Sequence, residues 1–135
     1  MMRSMFITIL MNGIMLLVLS CATVPTEPLA SGELRLLSIS NKKRLENRIN
    51  VPIEVSINFQ SDGNPEIRAV CFYWTGEGPH CYKAMDVNYG APGTIKVNII
   101  PTKPGAHDLE GYVVYNRGGK GHPSNIVSTN IKVHE

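Results

Sequence analysis

The chain has 135 residues, of which 13 are Lys or Arg, 11 are Asp or Glu, and 43% are hydrophobic. That length suffices for one domain with its own core and falls short of two. The near balance of charge excludes the basic stripe with which a nucleic-acid binder neutralises phosphates, so no nucleic-acid partner is expected.

From the N-terminus, Met1, Met2, Arg3 and Ser4 form a short positive stretch, and residues 5–19 form an apolar run broken by Asn12 and Gly13. This is the layout of a secretory signal peptide. The run is shorter than the roughly 20 apolar residues that a membrane-spanning helix needs. At its end, Val18-Leu19-Ser20-Cys21 resembles the lipobox of bacterial lipoproteins. The resemblance implies that residues 1–20 are removed, that Cys21 becomes a lipidated N-terminus, and that the lipid bilayer is a partner through that acylated cysteine. An ordinary signal peptide cut near a cysteine, or an uncleaved N-terminal anchor, is the competing reading.

Cysteine counting favours lipidation. The chain has three cysteines, and lipid on Cys21 leaves Cys71 and Cys81 as an even pair in an oxidising compartment. Each acyl chain contributes about 0.8 kcal/mol per buried CH₂, so more than one chain anchors stably without a protein span. Ala22 stands where aspartate marks inner-membrane retention in enteric-type lipoproteins. The resemblance therefore implies a cell-envelope location, at the outer membrane facing the periplasm if the host has two membranes.

Residues 21–33 follow as the lipidated cysteine and a flexible tether, with Pro25, Pro28 and small polar residues in place of an apolar period. A free chain of this length reaches roughly 20 Å, which keeps the domain near its membrane. Lys42-Lys43-Arg44, joined by Arg48, is read as a solvated loop rather than an anionic-lipid contact.

The remaining residues, 34–135, are dominated by a two-residue period. It is clearest where Val51, Ile53, Val55, Ile57 and Phe59 alternate with Pro52, Glu54, Ser56, Asn58 and Gln60. Such alternation marks a strand with one buried face, and Pro52 belongs at its start because it cannot donate to a ladder. Similar segments lie at residues 34–40, 67–74, 81–85, 94–100, 108–115 and 125–133, separated by Gly/Pro/Asn/Asp clusters. About seven short strands without an amphipathic helix predict an all-β, antiparallel two-sheet sandwich of the immunoglobulin-like kind.

The stretch from Pro104-Gly105 through Leu109, Gly111, Val113 and Tyr115, a glycine-rich turn, and Ser124-Asn125 into Val127, Thr129, Ile131 and Val133 resembles the last two strands of bacterial immunoglobulin-like and fibronectin type III-like domains. It departs from them in having His107 near the place of the corner tyrosine, and in lacking the usual inter-sheet cysteine pair.

Cys71 and Cys81 flank a stretch centred on Gly76. An antiparallel hairpin with the cysteines opposed predicts a disulfide, with Phe72 facing His80 and Trp74 facing Gly78. A redox or metal site is the weaker reading: the cysteines lack two-residue spacing, and with His80 they make an incomplete zinc set unless His107 or His122 joins them. Phe72, Tyr73, Trp74 and Tyr82 concentrate aromatic surface here, and a strand hides only alternate side chains. If Phe72 and Trp74 face the core, Tyr73 and Tyr82 are left outside. Tyr73, Trp74 and Tyr82 are therefore the candidate binding surface, against the alternative that all of them pack inside.

Catalytic groups occur only singly. His107-Asp108 are neighbours in sequence, yet adjacent residues on a strand point to opposite faces. Asp62, Asn64 and Glu66 are too short a carboxylate row for a calcium loop, and Gly118-Gly119-Lys120-Gly121 reads as a hairpin turn. No catalytic residue, metal or cofactor is expected. The function expected is a non-catalytic binding or accessory module of the envelope, with an envelope protein or glycan as partner. The alternative is a small periplasmic inhibitor or pilot lipoprotein serving one protein client.

Overall fold

The computed structural model describes residues 27–41 and 47–135, and the lipobox with Cys21, Ala22 and the run Lys42-Lys43-Arg44 lie outside them. The described chain is all β. Its strands are β1 (Leu34–Ser40), β2 (Asn47–Arg48), β3 (Ile53–Ser61), β4 (Ile67–Trp74), β5 (Glu77–Tyr82), β6 (Asp86–Asn88), β7 (Gly93–Ile99), β8 (Gly105–Arg117), β9 (Lys120–Pro123) and β10 (Val127–His134). The expected segments have counterparts, except that the one expected at 81–85 lies earlier, at Glu77–Tyr82, because β5 pairs back on β4 directly after a two-residue turn, and β2, β6 and β9 are short strands beyond them. Pro52 precedes β3, where its missing N–H costs the ladder nothing.

Two sheets face each other. One has the order β1-β3-β7-β6, the other β2-β10-β8-β4-β5, with β9 added along β8. All pairings are antiparallel except the two-residue contact of β10 with β2. The core lies between the sheets, where alternation sends Val55, Ile57 and Phe59 of β3 and Ile95, Val97 and Ile99 of β7 against Val70 and Phe72 of β4 and Leu109, Val113 and Tyr115 of β8. Burying each such side chain fully contributes about 1.5–3 kcal/mol, which is why the two-residue period dictates the layers. Among the described residues Ser56, between Val55 and Ile57, is the one buried polar side chain, at 3% exposure.

Each sheet contains one cross-strand pair of aromatic and glycine. Phe59 lies opposite Gly93 in the first sheet and Phe72 opposite Gly111 in the second. A Cβ on Gly93 would stand 2.4 Å from Phe59 Cζ, and one on Gly111 would stand 3.1 Å from Phe72 Cε1. The glycines thus clear the space that lets the two rings lie flat across the neighbouring strand.

Strand β1 contains a bulge between Leu36 and Ser38. Leu34 and Leu36 face inward. The extra residue, Leu37, is 42% exposed, and the shift of register it introduces turns Ile39 back to the core. Residues 27–33 run along the domain: Arg35 Nη1 donates to Glu27 O at 2.6 Å, Arg117 Nε donates to Ser31 O at 3.2 Å, and Gly32 N donates to Asp62 Oδ2 at 2.8 Å. Glu33 accepts the Ala30 amide and pairs with Arg35 at 2.9 Å, and these contacts, the amide foremost, hold its carboxyl below the ordinary range.

Candidate functional site

Two hairpin-like features shape one end of the sandwich. The first is β4–β5. Cys71 pairs with Cys81 and Phe72 with His80, as the spacing predicts, and the two sulfurs are bonded. The expected facing of Trp74 and Gly78 is corrected: a register shift after Phe72 sets Trp74 opposite Glu77. The turn therefore contains only Thr75 and Gly76, both with positive φ, +46° and +82°. Two such residues close a hairpin because their twist matches that of the strands. The loop from Arg117 to Lys120 does the same with Gly118 and Gly119, as its glycines predict.

Thr75 differs from those glycines. A β-branched residue in the left-handed region is strained, at a cost of roughly 1–2 kcal/mol, and needs its surroundings to hold it. Thr75 N donates to Asp108 O at 2.8 Å, and Thr75 Oγ1 lies 3.0 Å from His107 Nδ1. His107 Nε2 lies 2.8 Å from Lys103 O. A carbonyl only accepts, so Nε2 carries a proton, and in the neutral ring Nδ1 accepts the Thr75 hydroxyl. The second feature, the connection between β7 and β8, is thereby tied to the hairpin tip. A Lys103–Glu77 ion pair at 3.2 Å makes a further, exposed link, of the kind that contributes about 0–1 kcal/mol.

Between them is a cleft of about 360 Å³, within the range of about 300–1,000 Å³ typical of small-ligand sites. Trp74, Tyr82, Ile100 and Ala106 supply its apolar surface, and Thr75, Glu77, His80, Thr102, Lys103 and His107 its polar rim. Trp74 and His107 meet edge-to-face, with ring centroids 5.4 Å apart. Ile100, one residue past the end of β7, is 50% exposed here. Burial raises the Tyr82 phenol above its ordinary pKa.

The candidate aromatics part company. Trp74 and Tyr82 are half-buried, pack against the core and share the cleft. Tyr73 takes the opposite face of β4, where its ring meets Tyr112 at 6.1 Å. Burial and the neighbouring Tyr73 raise the Tyr112 phenol. Cys71 is on this outer face as well, yet buried, while Cys81 on the edge strand is exposed. His107 and Asp108 diverge as alternation requires: His107 lines the cleft and Asp108 is exposed.

Sequence reasoning found Trp74 and Tyr82 but missed Thr75, Ile100, Lys103 and the role of His107. Lys103-Pro104-Gly105 marks a turn ahead of β8, but nothing local shows that this turn folds beside the tip of β4–β5. His122 lies elsewhere, edge-on to Tyr115 at 5.6 Å, and among the described residues no three of His, Cys, Asp and Glu converge as a metal set. Neither protein-family models nor curated proteins nor solved structures yield a match to this chain.

Proposed function

We propose that the chain is a lipid-anchored envelope protein whose sandwich binds a partner at the cleft between the β4–β5 hairpin and the β7–β8 connection, without catalysing a reaction. One observation carries this reading: Trp74, Tyr82 and Ile100 expose apolar surface in a concave site rimmed by polar groups, the composition of recognition sites. The lipobox residues Val18-Leu19-Ser20-Cys21 support the anchor. The order β1-β3-β7 against β10-β8-β4-β5 supports kinship with immunoglobulin-like and fibronectin type III-like domains.

Photo-crosslinking in intact cells tests the cleft. A photoreactive amino acid in place of Ile100 forms a discrete adduct, whereas the same group in place of Leu37 forms none. Equal yields from both positions sink the reading. Fatty-acid labelling tests the anchor: Cys21→Ser abolishes incorporation and processing, and unchanged labelling refutes it.

A second reading rests on the chain Thr75 Oγ1, His107 Nδ1, His107 Nε2 and Lys103 O, which has the connectivity of nucleophile, base and orienting group. The orienting group is a neutral carbonyl rather than a carboxylate, so it gives a developing imidazolium less support than an aspartate would. The binding reading is therefore favoured. Covalent labelling of Thr75 by an acyl-enzyme-forming probe, lost in His107→Ala, would reverse that preference.

A further inference from the structure

We infer that the cleft's partner is an extended peptide of another protein, added as a strand to the free edge of β5 and placing an apolar side chain in the cleft. The inference rests on the binding reading above and gives it a partner class. Strand β5 ends its sheet, and five of its six residues are exposed. In an antiparallel ladder, facing residues alternate between hydrogen-bonded pairs, about 5.5 Å between Cα atoms, and non-hydrogen-bonded pairs, about 4.5 Å. Cys71 and Cys81 are 4.0 Å apart and so form a pair of the second kind. The Cys81 N–H and C=O therefore point away from β4, toward the open side.

The neighbouring peptide groups follow from the hydrogen-bonded pairs on either side: the His80 N–H points to Phe72, so Pro79 C=O on the same peptide faces outward, and the Tyr82 C=O points to Val70, so Lys83 N–H faces outward too. His80 and Tyr82 spend their main-chain groups on Phe72 and Val70. The edge thus offers Pro79 C=O, Cys81 N–H, Cys81 C=O and Lys83 N–H to an incoming chain. Exposed edges with such groups are templates for pairing.

The side-chain parity joins this edge to the cleft. His80 and Tyr82 point to the inner side and line the cleft. A strand laid against β5 continues the pleat, so its residues opposite His80 and Tyr82 also point inward. There they meet Trp74, Tyr82 and Ile100. Main-chain bonds then supply affinity that is indifferent to sequence, and the cleft supplies a preference for one large apolar residue.

A second copy of this chain fits less well. Two six-residue edges crossing at a twofold bury far less than the roughly 1,200 Å² of a stable interface.

The test is selection of random peptides displayed on phage against the full chain in detergent, followed by affinity measurements on the selected peptides as synthetic molecules. Lys83→Pro removes an outward donor and no bond to β4, and it weakens binding roughly tenfold or more, about 1.4 kcal/mol. Ile100→Lys does the same, and Leu37→Lys does nothing. If Lys83→Pro misfolds, N-methylation of the peptide backbone on alternate residues supplies the same information, with loss on one parity only.

A selection without binders overturns the inference, and so does indifference to both Lys83→Pro and N-methylation. Sensitivity to Ile100→Lys alone overturns strand addition and leaves the cleft reading standing, whereas indifference to Ile100→Lys removes that reading too. A chain that dimerises by itself, and loses the dimer in Lys83→Pro, overturns the foreign peptide in favour of a second copy.

Discussion

The Asn125 carboxamide holds the main chain of Leu36 as a neighbouring strand would: Oδ1 accepts from Leu36 N at 2.8 Å, and Nδ2 donates to Leu36 O at 2.9 Å. Leu36 belongs to the first sheet and Asn125 to the connection between β9 and β10 in the second. Ser124 makes this reach feasible. Its N donates to Val113 O at 2.8 Å and its Oγ accepts from Val113 N at 2.9 Å, which satisfies β8 where its partner changes from β10 to β9. The chain can then swing out and let Asn125 close the edge of the sandwich beside β1.

Asn125→Ala leaves both main-chain groups of Leu36 without their partner, and Leu36 is buried. The expected loss is about 1–3 kcal/mol, read as a lower urea midpoint with an unchanged slope. A midpoint equal to that of the unsubstituted chain would show that water replaces the carboxamide at no cost.

Gly93→Ala is expected to destabilise by about 1–3 kcal/mol, because the new methyl collides with the buried ring of Phe59. Gly111→Ala should cost less, since its nearest atom is 3.1 Å away rather than 2.4 Å. Thermal melts of the two variants check the order, and equal melting temperatures would contradict the argument from Phe59.

Thr75→Asn relieves the strained residue, since asparagine visits the left-handed region readily and Asn-Gly is a favoured two-residue turn. Stability should rise by about 1 kcal/mol, after allowance for the exposed hydroxyl bond to His107. A fall in the denaturant midpoint would mean that the hydroxyl contact outweighs the backbone strain.

Cys71→Ser opens a loop with a sequence separation of 10, for which the chain-entropy argument gives about 3 kcal/mol. The melting temperature should drop, and Cys81, exposed on its edge strand, should react with a maleimide under native conditions. Equal labelling of the unsubstituted and substituted chains would exclude the bond.

The sequence by itself determined the layers. Alternation in β3, β7 and β8 assigns inward faces because burying one apolar set per strand outweighs local preference, and the spacing of Cys71 and Cys81 around Gly76 assigns a disulfide hairpin with Phe72 opposite His80. It also determined that two adjacent residues such as His107 and Asp108 would face opposite ways.

Tertiary structure decided the rest. The register shift that puts Trp74 opposite Glu77 takes Glu77 out of the turn, and β8 holds the Thr75 amide of that shortened turn through Asp108 O. The meeting of His107 and Lys103 with the hairpin tip joins residues about thirty positions apart, and no periodicity encodes that distance. Asn125 reads as the first residue of the last strand until the fold brings Leu36, 89 positions away, within hydrogen-bonding reach. Local patterns encode which face is apolar. Which loops share an end, and hence where a cleft forms, follows only from how the strands are ordered across the two sheets.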